Sequence, residues 1–245
     1  MVSLPELWAC RGVVFDTDGV ITDSATVHAA AWKEAFDRVP GVDPAFDQDE
    51  DYRRYVDGKS RLDGASDFLR ARKVHLPAGD PDDAPGADTV CAVAARKEQA
   101  FLRLLGENGV GVWPGTQRLL LALHEARVRC AAISSSRHAR DLLARAGVRS
   151  MLQTVVDGND IAHLGLPGKP DPAVFLEAAR RLCVPAGSAA VVEDALAGVE
   201  AGKRGGFSLV VGVDRQGGPR SAEELRAHGA DVVVGDLGEL LATRR

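Results

Sequence analysis

The chain has 245 residues, of which 45% are hydrophobic and 27% charged, and this balance predicts a packed globular core. The formal net charge of −5 argues against non-specific nucleic-acid binding, which needs a basic surface. No apolar run approaches the roughly 20 residues that span a bilayer, and no secretory signal is apparent. We therefore expect a cytoplasmic monomer with no membrane and no nucleic-acid partner, in which the four scattered cysteines are reduced thiols.

The first predicted strand is the apolar run that ends at Phe15, and acidic residues follow it at once. Asp16 and Asp18 are separated by one residue, and Gly19 comes next. An unpaired charge beside a buried strand is costly, and open α/β sheets bind ligands at the carboxyl ends of their strands. An acidic turn is an equally good interpretation of these residues taken alone, because Asp and Gly are common in turns.

The segment from 25 to 110 predicts helices and loops but no strand. The predicted helices are 25–38, 52–56, 61–72 and 89–105, and the proline-rich stretch 77–88 is a predicted loop. Ser24 is a candidate N-cap of the first of these helices. His28 and Trp32 are four residues apart and therefore share a helical face.

From Trp113 onward strands and helices alternate. The predicted strands are 128–133, 153–156, 189–192, 207–213 and 231–234, and the predicted helices are 116–126, 137–146, 172–183, 195–204, 221–228 and 236–243. This alternation predicts an α/β fold with a Rossmann-like doubly wound parallel sheet. The core domain is then 1–24 with 112–245, and 25–111 is a small helical cap, inserted after the first strand, that we expect to act as a lid.

Three further polar groups occur near the ends of later strands. They are the serines 134–136, Lys169, and the pair Glu193-Asp194. Hydroxyl and N–H groups at a helix start bind anions, and carboxylates gathered in one pocket call for a cation such as Mg²⁺. Each also has an ordinary structural interpretation, namely an N-cap cluster, a solvated lysine and an acidic turn. Their succession at consecutive strand ends favours one shared site.

These groups, in this order, resemble the four motifs of the haloacid dehalogenase superfamily. The motifs are Asp-x-Asp, Ser/Thr, Lys and an acidic pair, matched by Asp16 and Asp18, Ser134, Lys169, and Glu193 and Asp194. The helical insert is similar to the cap of the β-phosphoglucomutase-like subfamily. The residues that carry this second resemblance are His28 and Trp32, Gly58-Lys59-Ser60-Arg61, and Arg96-Lys97.

The resemblance implies a mechanism. Asp16 attacks phosphorus and forms an aspartyl phosphate, and Asp18 is the general acid and base. The resemblance also implies that Ser134 and Lys169 hold the transferring phosphoryl group. The implied Mg²⁺ site consists of Asp16, the backbone carbonyl of Asp18, Asp194 and, nearby, Glu193. The implied substrate-binding residues are His28, Trp32, Gly58, Ser60, Arg61 and Lys97 in the cap, and Ser135, Ser136, Arg137 and His138 in the core.

The implied activity is that of a β-phosphoglucomutase, an isomerase that interconverts β-D-glucose 1-phosphate and glucose 6-phosphate through the 1,6-bisphosphate. The alternative is a Mg²⁺-dependent sugar-phosphate phosphatase, a hydrolase on the same scaffold. Arg61 discriminates between them, because an arginine at a helix N-terminus is unfavourable unless an anion lies close, and the mutase subfamily uses it on the non-transferring phosphate.

The chain departs from that subfamily at three places. Asp57 replaces a basic residue, Gly64 replaces a hydroxyl residue, and His138 or Arg137 would make a contact that an asparagine often makes. A phospho-aspartate receiver also carries acidic, hydroxyl and lysine groups, but it is about half this length and has no cap. A non-catalytic sugar-phosphate binder would not need the intact catalytic set.

Overall fold

The computed structural model describes residues 6–243. Its contacts divide the chain into two compact units. We call the residues up to Asp23 together with those from Gly111 onward the α/β unit, and Ser24–Val110 the helical unit. No helix in the described part of the chain combines the length and the apolar character needed to cross a membrane.

The α/β unit is built on a six-stranded sheet. Its strands are β1 (Gly12–Asp16), β2 (Arg129–Ile133), β3 (Thr154–Val156), β4 (Ala189–Glu193), β5 (Leu209–Val213) and β6 (Val232–Val234). All pairs are parallel, and the strand order is β3-β2-β1-β4-β5-β6. The chain adds β2 and β3 on one side of β1, then crosses to the other side of β1 and adds β4, β5 and β6. This is a doubly wound order, and it confirms the predicted fold class.

Helices cover both faces of this sheet. The helices of the chain are α1 (Glu6–Ala9), α2 (Ala25–Phe36), α3 (Arg61–Ala71), α4 (Val90–Asn108), α5 (Pro114–Glu125), α6 (Ala139–Arg145), α7 (Gly158–Leu164), α8 (Ala173–Arg181), α9 (Leu196–Arg204) and α10 (Pro219–Ala227). Phe15 packs with Leu119 of α5 on one face, whereas Val14 packs with Phe175 of α8 on the other. The central strand is therefore buried on both sides, which explains its unbroken apolar run.

Two helices, α1 and α7, are absent from the sequence prediction, and the predicted helix 236–243 is a 3₁₀ helix at Leu237–Thr243. Helix α7 begins with a capping box in which Asp157 accepts from the N–H of Asp160 and the Asp160 side chain accepts from the N–H of Asp157. The sequence prediction assigns no structure to this segment.

The helical unit contains α2, α3 and α4 around an aromatic core. Phe36 is central to this core, with its ring centroid 4.9 Å from that of Trp32 and 4.1 Å from that of Phe68. The segment Tyr52–Val56, predicted to be helical, is a single π-helical turn. Ser24 lies at the N-cap position of α2, but its side chain makes no capping hydrogen bond because its backbone is already helical, with ψ at −12°.

Candidate active site

Strands β1 and β4 bring acidic residues together at the carboxyl edge of the sheet. Phe15 pairs with Val192, so the next residues, Asp16 and Glu193, end at the same level. One carboxylate oxygen each from Asp16, Glu193 and Asp194 lie within 4.8 Å of one another. Residues separated by more than 170 positions in the sequence therefore form one acidic cluster.

Lys169 is the cationic partner of this cluster. Its buried Nζ donates to Asp16 Oδ1 and to Glu193 Oε2, each at 2.6 Å. Burial, and next the charge of Glu193, raise the pKa of Asp16 well above its ordinary range, although Lys169 opposes the shift. Burial alone would lower the pKa of Lys169, but the two carboxylates outweigh it and raise the pKa. Lys169 is therefore not a solvated loop lysine.

Two glycines allow the backbone to approach the acidic side chains. A Cβ at Gly19, whose φ is +83°, would lie 1.9 Å from Asp194 Oδ2. A Cβ at Gly198 of α9 would lie 1.9 Å from Glu193 Oε2. The other Glu193 oxygen accepts from the N–H groups of Asp194 and Ala195 at 3.2 and 3.0 Å. The backbone thus fixes the direction of both carboxylates.

The Asp18 side chain reaches the residue that follows β2. Its Oδ2 accepts a hydrogen bond of 2.8 Å from Ser134 Oγ. The preceding Thr17 hydroxyl donates to the carbonyl of Ile133 at 2.8 Å, which ties the two strand ends together. An acid beside the candidate nucleophile Asp16 but outside its carboxylate cluster can exchange a proton with a reacting oxygen.

In the serine segment after β2, two backbone N–H groups donate to neighbouring serine hydroxyls, as the N-cap interpretation of the sequence expects. The N–H of Ser136 donates to Ser134 Oγ at 3.0 Å, and the N–H of His138 donates to Ser136 Oγ at 3.2 Å. Short polar side chains compete for neighbouring N–H groups in this way, so a bound anion would replace these hydroxyl acceptors.

Helix α7 supports the same segment, and sequence reasoning missed this contribution. Asn159 Nδ2 donates to the carbonyl of the exposed Arg137 at 3.1 Å, and a Cβ at Gly158 would lie 2.6 Å from the carbonyl oxygen of Ser135. The signal that could have found it is the Asp157-x-x-Asp160 capping box.

The residues present fit a divalent metal ion. Asp16, Glu193 and Asp194 offer only oxygen donors, which hard cations such as Mg²⁺ prefer. Three carboxylates meet one lysine at the cluster, and burial, followed by the charge of Glu193, raises the pKa of Asp16. The carboxylate of Asp18 accepts a hydrogen bond from Ser134 and is not one of these three groups.

In the helical unit, His28 and Lys97 form a buried pair. Lys97 Nζ and His28 Nδ1 are 2.7 Å apart, and the imidazole stacks on Phe101 with 4.1 Å between ring centroids. The neighbouring Trp32 lies in the apolar core of this unit, with Lys97 Nζ 5.6 Å from its ring centroid. Trp32 therefore packs against the pair from the core side, and its ring is not exposed for contact with a substrate.

The predicted phosphate-binding element of the helical unit precedes α3. Ser60 is the N-cap of α3 and accepts from the N–H of Asp63 at 3.2 Å. Arg61 lies 3.2 Å from Glu98 of α4. The carboxylate of Glu98 is therefore the anion that an arginine at a helix N-terminus needs nearby.

Close packing explains why a glycine occupies position 64, because a Cβ there would lie 3.2 Å from Val56 Cα. Gly58 adopts a φ of +70° at the turn before this element.

Comparisons with known proteins agree with this geometry. A sequence model of the haloacid dehalogenase-like hydrolases matches residues 10–206. The chain is 44% identical to a β-phosphoglucomutase of Mycobacterium tuberculosis, over 98% of this chain and 94% of that protein. In fold it is similar to a β-phosphoglucomutase of Clostridium difficile, with a TM-score of 0.75 at 24% identity over 94% of this chain and 93% of the other. It is also similar to CbbY from Rhodobacter sphaeroides in complex with xylulose-(1,5)bisphosphate, with a TM-score of 0.72 at 26% identity over 96% and 98% of the two chains.

Proposed function

The chain belongs to the haloacid dehalogenase-like hydrolases, as an enzyme that acts on phosphate groups, and on this premise we propose that it is a phosphosugar mutase of the β-phosphoglucomutase type. It interconverts β-D-glucose 1-phosphate and glucose 6-phosphate through an aspartyl-phosphate enzyme and the 1,6-bisphosphate. The observation that carries the proposal is the meeting of Asp16, Lys169, Glu193 and Asp194 at the sheet edge. The 44% identity to a β-phosphoglucomutase supports the choice of a mutase.

In the proposed reaction Asp16 carries the phosphoryl group and Asp18 moves the proton. The C6 hydroxyl of β-glucose 1-phosphate attacks the aspartyl phosphate, Asp18 accepts the hydroxyl proton, and the bond between phosphorus and the Asp16 oxygen breaks. The bisphosphate then reverses in the site. Asp16 attacks the C1 phosphate, Asp18 returns the proton to the departing C1 oxygen, and glucose 6-phosphate leaves.

The other proposed roles concern charge and position. Ser134 and Lys169 bind the oxygens of the transferring phosphoryl group. Asp16, the Asp18 carbonyl and Asp194, with Glu193 close by, would hold Mg²⁺, which would supply positive charge to those oxygens. The proposed sugar and second-phosphate contacts come from the segment 135–138 and from His28, Gly58, Ser60, Arg61 and Lys97, with Trp32 acting through Lys97.

One assay tests this function against its alternative. The protein is incubated with Mg²⁺, β-glucose 1-phosphate and a trace of the 1,6-bisphosphate, and glucose 6-phosphate and free phosphate are measured together. We expect glucose 6-phosphate in large excess over free phosphate. Free phosphate without isomerised sugar contradicts the mutase and establishes the phosphatase. Hexose 1-phosphates of other configurations, tested in parallel, identify the sugar.

The phosphatase is retained as second candidate because of one sequence feature. Asp57, which ends the π-helical turn, is acidic where the mutase subfamily carries a basic residue. An acidic residue there weakens the local attraction for a second phosphate group. An Asp57→Lys variant with an unchanged ratio of isomerised sugar to free phosphate would remove this reason for keeping the alternative.

A further inference from the structure

Arg215 follows β5 and makes an unusual set of contacts to the backbone. Its Nε donates to the carbonyl of Gly19 at 2.7 Å, and its Nη2 donates to the carbonyl of Val20 at 3.2 Å. Its Nη1 donates to the carbonyl of Gly235 at 3.3 Å. The guanidinium also lies 4.1 Å from the ring centroid of Trp113. One half-buried side chain thus joins three segments that are remote in the sequence.

The most important of these segments is the turn that follows Asp18. Gly19 is held in the left-handed region, and its Cα faces Asp194 so closely that no Cβ would fit. A movement of the Gly19 carbonyl would therefore shift both the Asp18 backbone and the surface that Asp194 packs against. Arg215 holds this carbonyl and the next one from outside the cluster.

Backbone and hydroxyl groups also hold the same turn. The N–H of Thr22 donates to the carbonyl of Thr17 at 2.9 Å, and the Thr116 hydroxyl donates to the carbonyl of Val20 at 2.8 Å. The N–H of Trp113 donates to the carbonyl of Ile21 at 3.1 Å. The Arg215 guanidinium covers Trp113 itself, so the arginine couples the turn to the start of α5.

Only arginine can make this set of contacts. Its planar guanidinium carries five N–H donors in a rigid fork and can stack on an aromatic ring at the same time. A lysine at this position would keep the positive charge near Asp194 but would supply one compact ammonium in place of the fork. The Arg215→Lys variant therefore distinguishes between two roles of Arg215, namely supplying positive charge and fixing the position of the turn.

We propose that Arg215 is a positioning residue of the active site. It holds the carbonyls of Gly19 and Val20, and thereby fixes the backbone of Asp18 and the Gly19 surface against which Asp194 packs. The proposal rests on the proposed phosphoryl transfer for its readout. Because a displacement of about 1 Å in a reacting group can cost about 10²-fold in rate, we expect Arg215→Ala and Arg215→Lys to lower kcat by roughly 10- to 100-fold. KM for the sugar phosphate should change by less than about threefold.

The experiment measures kcat and KM of both variants in two reactions, the mutase reaction and the hydrolysis of para-nitrophenyl phosphate. The control is Arg220→Ala, which removes a guanidinium that is 86% exposed on α10. Loss of kcat in both reactions, with partial recovery of Arg215→Ala in added guanidinium ion, supports the positioning role. If the wild-type protein hydrolyses the small ester but isomerises no sugar, the mutase proposal fails while Arg215 is still tested.

The result that overturns the proposal is also defined. Wild-type kcat in Arg215→Lys, in either reaction, shows that charge and not position is what matters. Activity of Arg215→Ala equal to that of the Arg220→Ala control shows that the contacts have no catalytic consequence. If Arg215→Ala does not fold, as judged by its thermal melting curve, Arg215→Lys decides the question alone.

Discussion

Ser134 Oγ donates a hydrogen bond of 2.8 Å to Asp18 Oδ2 and joins the ends of β1 and β2. The carboxylate that accepts this bond is not part of the acidic cluster formed by Asp16, Glu193 and Asp194. Two aspartates separated by one residue thus have different surroundings. This separation is what nucleophile and acid–base roles require of two like groups.

The first prediction concerns Asp18. Asp18→Asn keeps an acceptor for Ser134 Oγ but cannot exchange a proton, so kcat should fall by about 10²–10⁴-fold in both mutase and small-ester reactions. Steady-state kinetics with both substrates provide the measurement. The control, Asp23→Asn, changes an exposed aspartate five residues further on. A loss below about tenfold in Asp18→Asn would exclude it as the acid–base group.

The second prediction concerns Arg61. Truncation of an arginine that binds a phosphate group removes charged hydrogen bonds worth about 1.5–3 kcal/mol, or roughly 10- to 150-fold in kcat/KM. Arg61→Ala should show this loss for the sugar phosphate but hydrolyse para-nitrophenyl phosphate at the wild-type rate. Arg70→Ala, which changes a 73% exposed arginine of the same helix, is the matched control. Equal losses with the two substrates would argue that Arg61 is only structural.

The third prediction concerns Glu98, which lies 3.2 Å from Arg61. A substrate phosphate has to compete with this carboxylate, so Glu98→Gln should lower KM for the sugar phosphate by a few-fold and leave kcat unchanged. Inorganic phosphate should inhibit the variant more strongly than the wild type, for the same reason. A raised KM would show instead that Glu98 orients Arg61 for binding.

The fourth prediction concerns the acidic cluster and a metal ion. A ligand at 100 times its Kd stabilises by ~2.7 kcal/mol, which for a chain of this size corresponds to a rise in apparent Tm on the order of 5–10 °C. We expect Mg²⁺ to cause such a rise and excess EDTA to abolish it. Asp194→Asn should lose most of the response, whereas Glu200→Gln, on helix α9 with a 42% exposed side chain, should keep it. A full response in Asp194→Asn would place the ion elsewhere.

The fifth prediction concerns stability in acid. Burial would raise the pKa of Asp160, but hydrogen bonds from Arg181, the Asp157 N–H and Arg140 lower it to about 2 from the usual 3.8. A group with a lowered folded-state pKa stabilises the fold above its unfolded-state pKa, and this contribution is lost as the pH falls from about 4 to about 2. The destabilisation caused by Asp160→Asn should therefore be largest near neutral pH and shrink over that interval.

Urea unfolding at neutral pH, pH 4 and pH 2.5 measures this difference in free energy of unfolding. Glu223→Gln, which replaces an exposed glutamate of α10, serves as the control. A difference between Asp160→Asn and wild type that does not vary with pH would show that the ion pairs of Asp160 do not stabilise the fold.

The sheet and its strand-end residues could be predicted because both depend on local patterns. Each strand is a short apolar run, and Asp16, Lys169 and Glu193 stand out as charges beside such runs or in the loop that precedes a helix. Since parallel strands end at one edge, the charges that follow them must be near one another. The capping box of α7 is local too, but the sequence prediction did not use it.

Side-chain direction could not be predicted in the same way. Asp16 and Asp18 are two residues apart, yet one faces Lys169 and the other faces Ser134. Trp32 shares a helix face with His28, but the packing of Phe36 and Phe68 draws its ring into the core of the helical unit. The partner of each side chain comes from a distant segment, and spacing along the chain does not define that partner.

The sequence by itself determined the alternating α/β architecture, the helical insertion and the order of the charged groups, because periodicity and strand termini are local properties. Only the tertiary structure decided that Lys169 bridges Asp16 and Glu193, that Glu98 accompanies Arg61, and that Arg215 holds the turn after Asp18. These contacts depend on the three-dimensional packing of remote segments, where burial and hydrogen bonding select one partner among many charged residues.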